Sequence, residues 1–197
     1  MKKKILLLIL IQLLFSGWLL AQTSNESLAE INLDRIQLNS NGMLILGGWA
    51  VSNIIIGGVG MTQTSENTYY FHQMNTAWNS VNLAIAGFGY TGLRNQSANL
   101  SVSDTIFEFQ NFEKILLFNA GLDVGYMAIG AFLWERGLRK DNSRLTGYGQ
   151  SMILQGGFLF AFDLILYFAS NAKSSAFIES LNYLQFTGTG LSLSFSF

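Results

Sequence analysis

The residues of this chain with chemistry to offer are amides and carboxyls set in apolar surroundings. His72, Asn75, Asn79 and Asn82 recur at three- and four-residue spacing, which puts them on one stripe of an α-helix. Asn119, Asp123 and Tyr126 make a second stripe, and Gln155 and Asp163 lie about 80° apart on a third helix. Asn53 stands midway along a fourth apolar run. Such groups can hold a polar ligand, relay a proton, or bond one helix to the next. Asp123 and Asp163 are the sharpest features, because neither apolar run holds a Lys or Arg. A carboxylate at bilayer depth costs about 2.5–3.5 kcal/mol on insertion scales. Asp123 is therefore expected to hydrogen-bond to Asn75 or Asn79, to Asn119 or to Asn53.

Other chemistries are poorly served. The 197 residues hold no cysteine and one histidine, so a thiolate metal site, a disulfide framework and a cysteine nucleophile are excluded. His72 with Asp123 lacks a third strong metal ligand, and no metal or cofactor is expected. The pairs Gly47–Gly48, Gly57–Gly58 and Gly156–Gly157 sit inside apolar runs without the lysine of a phosphate loop. No serine stands in a nucleophile elbow, so the expectation is a protein that is not an enzyme. A net charge of −1 with only 12% charged residues lacks the broad positive footprint that a nucleic-acid partner needs.

The elements that position these groups follow from hydropathy. Half the residues are apolar and only 12% are charged, against roughly 25% in ordinary soluble domains. Residues 1–21 combine Lys2, Lys3 and Lys4 with an apolar run ending at Ala21, the pattern of a secretory signal peptide. Residues 22–42 read as a lead-in. Leu28, Ile31, Arg35 and Leu38 recur at helical spacing there, and Asn39–Gly42 is expected to break the helix. Four runs then follow, Met43–Met61, Phe71–Leu93, Ile115–Trp134 and Leu145–Phe168. About 20 apolar residues span a bilayer core. The expected fold is all-α: a four-helix antiparallel transmembrane bundle over 43–170 with a tail over 171–197.

Charge and small residues refine the layout. Four of the eight basic residues beyond Ala21 fall at Arg136, Arg139, Lys140 and Arg144, marking that loop as cytoplasmic. The mature N-terminus is then periplasmic in a bacterial inner membrane. Gly121 with Gly125, Gly48 with Ser52 and Ser80 with Ala84 are small-xxx-small pairs that let helix backbones approach. The polar stripes are expected to face inward, because a polar group facing hydrocarbon costs several kcal/mol.

The tail reads differently. Leu191, Leu193, Phe195 and Phe197 alternate with serines, a strand signal. A final aromatic after such alternation also suits an outer-membrane β-barrel, which is the rival architecture. Met43–Met61 and Ile115–Trp134 are continuous apolar runs without alternation, and they weigh against it.

The stretches LGGWAVSNIIIGGVG (46–60), YFHQMNTAWNSVNLAIAGFGY (70–90), NAGLDVGYMAIGAFLWERG (119–137) and YGQSMILQGGFLFAFDLILY (148–167) resemble a family of small bacterial membrane proteins of unknown function. The resemblance implies a multi-helix membrane fold and carries over no activity. The expected function is that of a non-enzymatic accessory or scaffold protein in the lipid bilayer, partnered by a second copy or another membrane protein. The alternative is a small carrier that binds a polar ligand through the Asn/Asp stripes.

Overall fold

In the computed structural model, residues 28–181 are described with their side chains, and 2–27, 182, 184–187 and 190–193 by their backbone. Four helices follow one another: α1 (Lys2–Gln63), α2 (Glu66–Arg94), α3 (Val102–Arg139) and α4 (Ser143–Asn182). The rival strand reading is overturned, because each of the four apolar runs is helical. Without a proline anywhere in the chain, nothing interrupts the backbone hydrogen bonds of these long helices. The expected signal segment, 1–21, lies outside the residues described with side chains. After α4, β1 (Leu184–Thr187) pairs antiparallel with β2 (Gly190–Leu193), Leu184 opposite Leu193 and Thr187 opposite Gly190. Residues 194–197 of the alternating tail lie outside the described residues.

The turns are short and locally encoded. Ser101 caps α3, its hydroxyl accepting from the Asp104 amide at 3.1 Å and donating to the Asp104 carboxylate at 2.7 Å. This satisfies an orphan donor of the first turn. The tight α1–α2 and α3–α4 turns hold Glu66 and Asp141 at φ 52° and 48°, in the left-handed region. We call this the loop end of the bundle. Arg139 pairs there with Glu135 along α3, while the Arg136 and Arg144 guanidiniums lie over Phe132 and Tyr148.

Consecutive helices run antiparallel, but they do not pack in chain order. α1 lies against α2, α2 against α4, and α4 against α3. Thus α2 and α4 are parallel neighbours, with α2 and α3 across the bundle, joined through the Trp78 and Tyr126 rings. The expected break at Asn39–Gly42 does not occur. α1 runs straight through it, Asn39 and Ser40 are buried, and Gly42 presses on Leu166 of α4. Packing against α4 overrides the local turn signal.

Close approach also falls elsewhere than expected. A Cβ on Gly48, Gly121 or Gly125 would meet nothing within 4 Å, so those glycines face away from the other helices. Backbone meets backbone most closely at α4. A Cβ on Gly149 would stand 2.4 Å from the Trp134 amide nitrogen of α3. One on Gly147 would overlap the Asn67 carbonyl of α2. Literal motif matching selects by sequence spacing, whereas contact is selected by which side of the rod the partner occupies.

The distribution of polarity is inverted relative to a water-soluble fold. Among the described residues, the buried side chains comprise nine apolar and sixteen polar or charged ones. Twenty-six large apolar side chains among the described residues are exposed, among them Phe88, Phe118, Ile165 and Phe168. An apolar exterior of this extent is far larger than the patches that soluble monomers show. Three stretches, Leu28–Gln63, Val102–Arg139 and Ser143–Leu181, are long and apolar enough to cross a membrane. α2, with 29 residues, is long enough, but its buried amide stripe lowers its average hydropathy.

Candidate functional site

The interior polar groups form two layers. The first is built on Asn75 of α2, which is 1% exposed. Its amide nitrogen donates to the Asn53 side-chain oxygen of α1 at 3.0 Å, and its amide oxygen accepts from Gln155 of α4. Gln155 in turn accepts from the Trp49 indole of α1 at 3.0 Å. Trp49 stacks on Phe158 with ring centroids 3.8 Å apart, which fixes the indole. Asn53 donates back to the Trp49 carbonyl at 2.9 Å, and Asn79 to the Asn75 carbonyl at 2.8 Å. Four side chains thereby tie three helices together. Buried polar groups are retained where partners satisfy them, as for the side chains of Asn53, Asn75 and Gln155.

The second layer lies deeper along the bundle and is less completely paired. From Gln155, Asp163 is eight residues further along α4, about 12 Å at 1.5 Å per residue. Asn82 is seven residues past Asn75 on the parallel α2, at nearly the same height. Asp123 of α3 and Asp163 meet side chain to side chain within hydrogen-bonding range. All three are buried. Among the described residues, Asp123 Oδ2, Asn79 Oδ1 and Asn82 Nδ2 have no hydrogen-bond partner. No group of three or more acidic, His or Cys residues able to hold a metal ion occurs among them.

The expected site residues therefore divide. Asn53, Asn75 and Gln155 assemble as one network. Asp123 and Asp163 meet below it, and Asn79 and Asn82 are buried on α2 below Asn75. Asp123 does not bond to Asn75, Asn79, Asn119 or Asn53 as expected; its partner is Asp163, because α4 and not α2 is the neighbour of α3. Asn119 is half-buried, and its side chain makes no hydrogen bond among the described residues. Tyr126 packs edge-on against Trp78 at 4.9 Å. His72 stands at the loop end with its ring over Gly60, outside both layers. Nearby, the Tyr148 hydroxyl donates to Gln73 at 2.8 Å.

A third cluster escaped the sequence reading. At the end away from the loops, Arg35 of α1 is 1% exposed. It donates to Gln96 at 3.0 Å and to Asn32 at 3.3 Å, and pairs with Glu108 of α3 at 3.5 Å. Asn32 donates to Thr105 at 2.8 Å. The signal was present: Asn32, Arg35 and Asn39 share a stripe at three- and four-residue spacing, as Thr105 and Glu108 do. Hollows of about 420 and 350 Å³ open at this same end, beside Glu30, Asp34, Phe109 and Lys173. Neither touches the Asp123–Asp163 layer.

Fold and site together define an all-α four-helix bundle with a polar interior and an apolar exterior, the distribution that fits a membrane protein. The chain belongs to a family of unknown function (DUF6992), whose model matches residues 45–164. That span takes in both central layers and, of the Arg35 cluster, Gln96, Thr105 and Glu108 but not Asn32 or Arg35. No curated protein and no solved structure matches the chain.

Proposed function

We propose that this chain is a non-enzymatic integral membrane protein that acts as a scaffold or accessory subunit, with all four helices crossing the bilayer. The observation that carries this reading is Gln155, fully buried, whose one side chain engages both Trp49 of α1 and Asn75 of α2. In lipid no hydrophobic effect draws helices together, so packing and interhelical hydrogen bonds must do so. A paired network at the junction of three helices serves that task. The basic residues at the loop end support a cytoplasmic placement of that end, in a bacterial inner membrane. The apolar exterior supports lipid as the first partner, with a second copy or another membrane protein beyond it.

The test is extraction and unfolding. The protein should stay with membranes through an alkaline wash and leave them only with detergent. In micelles, Gln155→Ala should cost about 1–2 kcal/mol, the sum of two interhelical bonds and lost packing. Asp123→Asn should leave stability nearly unchanged. A protein that dissolves without surfactant, or a Gln155→Ala variant as stable as the parent, contradicts the reading.

The carrier reading is favoured by one specific observation, the unpartnered atoms around Asp123.

A further inference from the structure

The chemistry of the second layer goes beyond holding helices together. Asp123 and Asp163 are 3% and 6% exposed. Among the described residues, no charged side chain faces them from the elements packed on α3 and α4. α1 has none between Arg35 and Gln63, and α2 has none between Glu66 and Arg94, its His72 standing at the loop end. On α3 and α4 the nearest other titratable groups are Tyr126 and Tyr167. Each carboxyl therefore has only the other as a charged neighbour. With both ionised, Asp123 Oδ2 has no donor, and two like charges share one buried site. With one proton between them, the two carboxyls, already in contact, can share a hydrogen bond.

The surroundings suit a proton that exchanges. Asn79 Oδ1 and Asn82 Nδ2, both buried and unpartnered, stand on the α2 face that packs on α4 through Asn75 and Gln155. Toward the loop end α2 and α4 carry buried or half-buried polar side chains: Asn75 bonded to Gln155, then Ser151 with an unpartnered hydroxyl, and beyond it Gln73 bonded to Tyr148. In the other direction the nearest fully turned-in side chains are apolar, with half-buried Asn119 on α3 and buried Ser170 further along α4. Ala86 follows Asn82, Leu166 follows Asp163, and Leu116 precedes Asp123, all buried. The interior next to the two carboxyls is therefore more polar toward the loop end than away from it.

We propose that Asp123 and Asp163 form an exchangeable proton-binding site, loaded and emptied from the loop end. One proton taken from water at that end lowers the charge of the pair from −2 to −1, and its return to the same side restores it. This inference rests on the membrane reading above. It adds a proton-linked state that a scaffold does not require.

Infrared difference spectroscopy on the full chain in lipid nanodiscs tests it. Near neutral pH the parent should show the carbonyl band of a protonated carboxylic acid, and the band should shift on transfer to heavy water. Asp123→Asn and Asp163→Asn should each abolish it. Far-UV circular dichroism provides the folding control. Asn79→Leu should keep the band and slow its isotope exchange severalfold. The proposal is overturned by a parent without the band or by a band that survives both carboxyl variants. Loss of the band when sodium replaces choline in the buffer also overturns it, since that outcome assigns the site to a metal cation. Flotation of the nanodiscs reports insertion separately, so failure of the membrane reading is distinguishable from failure of the proton site.

Discussion

At the scale of single residues, Arg35 and Glu108 set the terms. A guanidinium 1% exposed is tolerable only with partners, and Gln96, Asn32 and Glu108 supply them. Removing one member of a buried pair strands the other charge, whereas removing the buried charge itself does not. Glu108 is 35% exposed at its side chain, so water offsets part of the loss. Glu108→Gln should therefore cost about 1–2 kcal/mol in detergent unfolding, below the usual range for fully buried pairs. Arg35→Met, which fills similar space without charge, should cost less than Glu108→Gln. The opposite ranking in the same titration removes the account of this cluster. Arg35 was hard to read from sequence because a single basic residue in a polar lead-in looks like a solvated one. Its burial depends on α3 arriving alongside with Thr105 and Glu108 in register.

At the scale of elements, the contact between α3 and α4 is set by where side chains are missing. The Gly149 Cβ position lies 2.4 Å from the Trp134 nitrogen and 2.5 Å from the Gly130 carbonyl, so backbone meets backbone. Gly149→Ala should destabilise the bundle by about 1–3 kcal/mol, the usual cost of overpacking. Gly121→Ala, with nothing within 4 Å, should be neutral or stabilise by up to about 1 kcal/mol through helix propensity. Thermal unfolding in one detergent, followed by circular dichroism, compares the two. A harmless Gly149→Ala or a damaging Gly121→Ala reverses the assignment of faces. The four helices and their inward stripes were legible because apolar length and three-to-four spacing are local properties. Neighbour order was not legible. The loop 95–101 lets α3 cross to the far side of the bundle, and that crossing gives Asp123 to Asp163 instead of Asn79. The small-residue pairs misled for the same reason, since Gly121 and Gly125 are spaced correctly on the wrong side of α3.

At the scale of the whole molecule, the central claim is that lipid and not water surrounds the exposed apolar side chains, with the polar groups turned inward. The chain has no cysteine, so single cysteines carry a nitroxide label to chosen positions without prior deletions. Labels at Phe88, Phe118 and Ile165, which are 80%, 68% and 70% exposed, sample three helices. A label at Lys140 in the basic turn is the aqueous reference. In lipid vesicles, electron paramagnetic resonance collision rates should show the three labels open to oxygen and shielded from a water-soluble nickel chelate, and the Lys140 label the reverse. Chelate access at Phe88, Phe118 and Ile165 equal to that at Lys140 would contradict the claim.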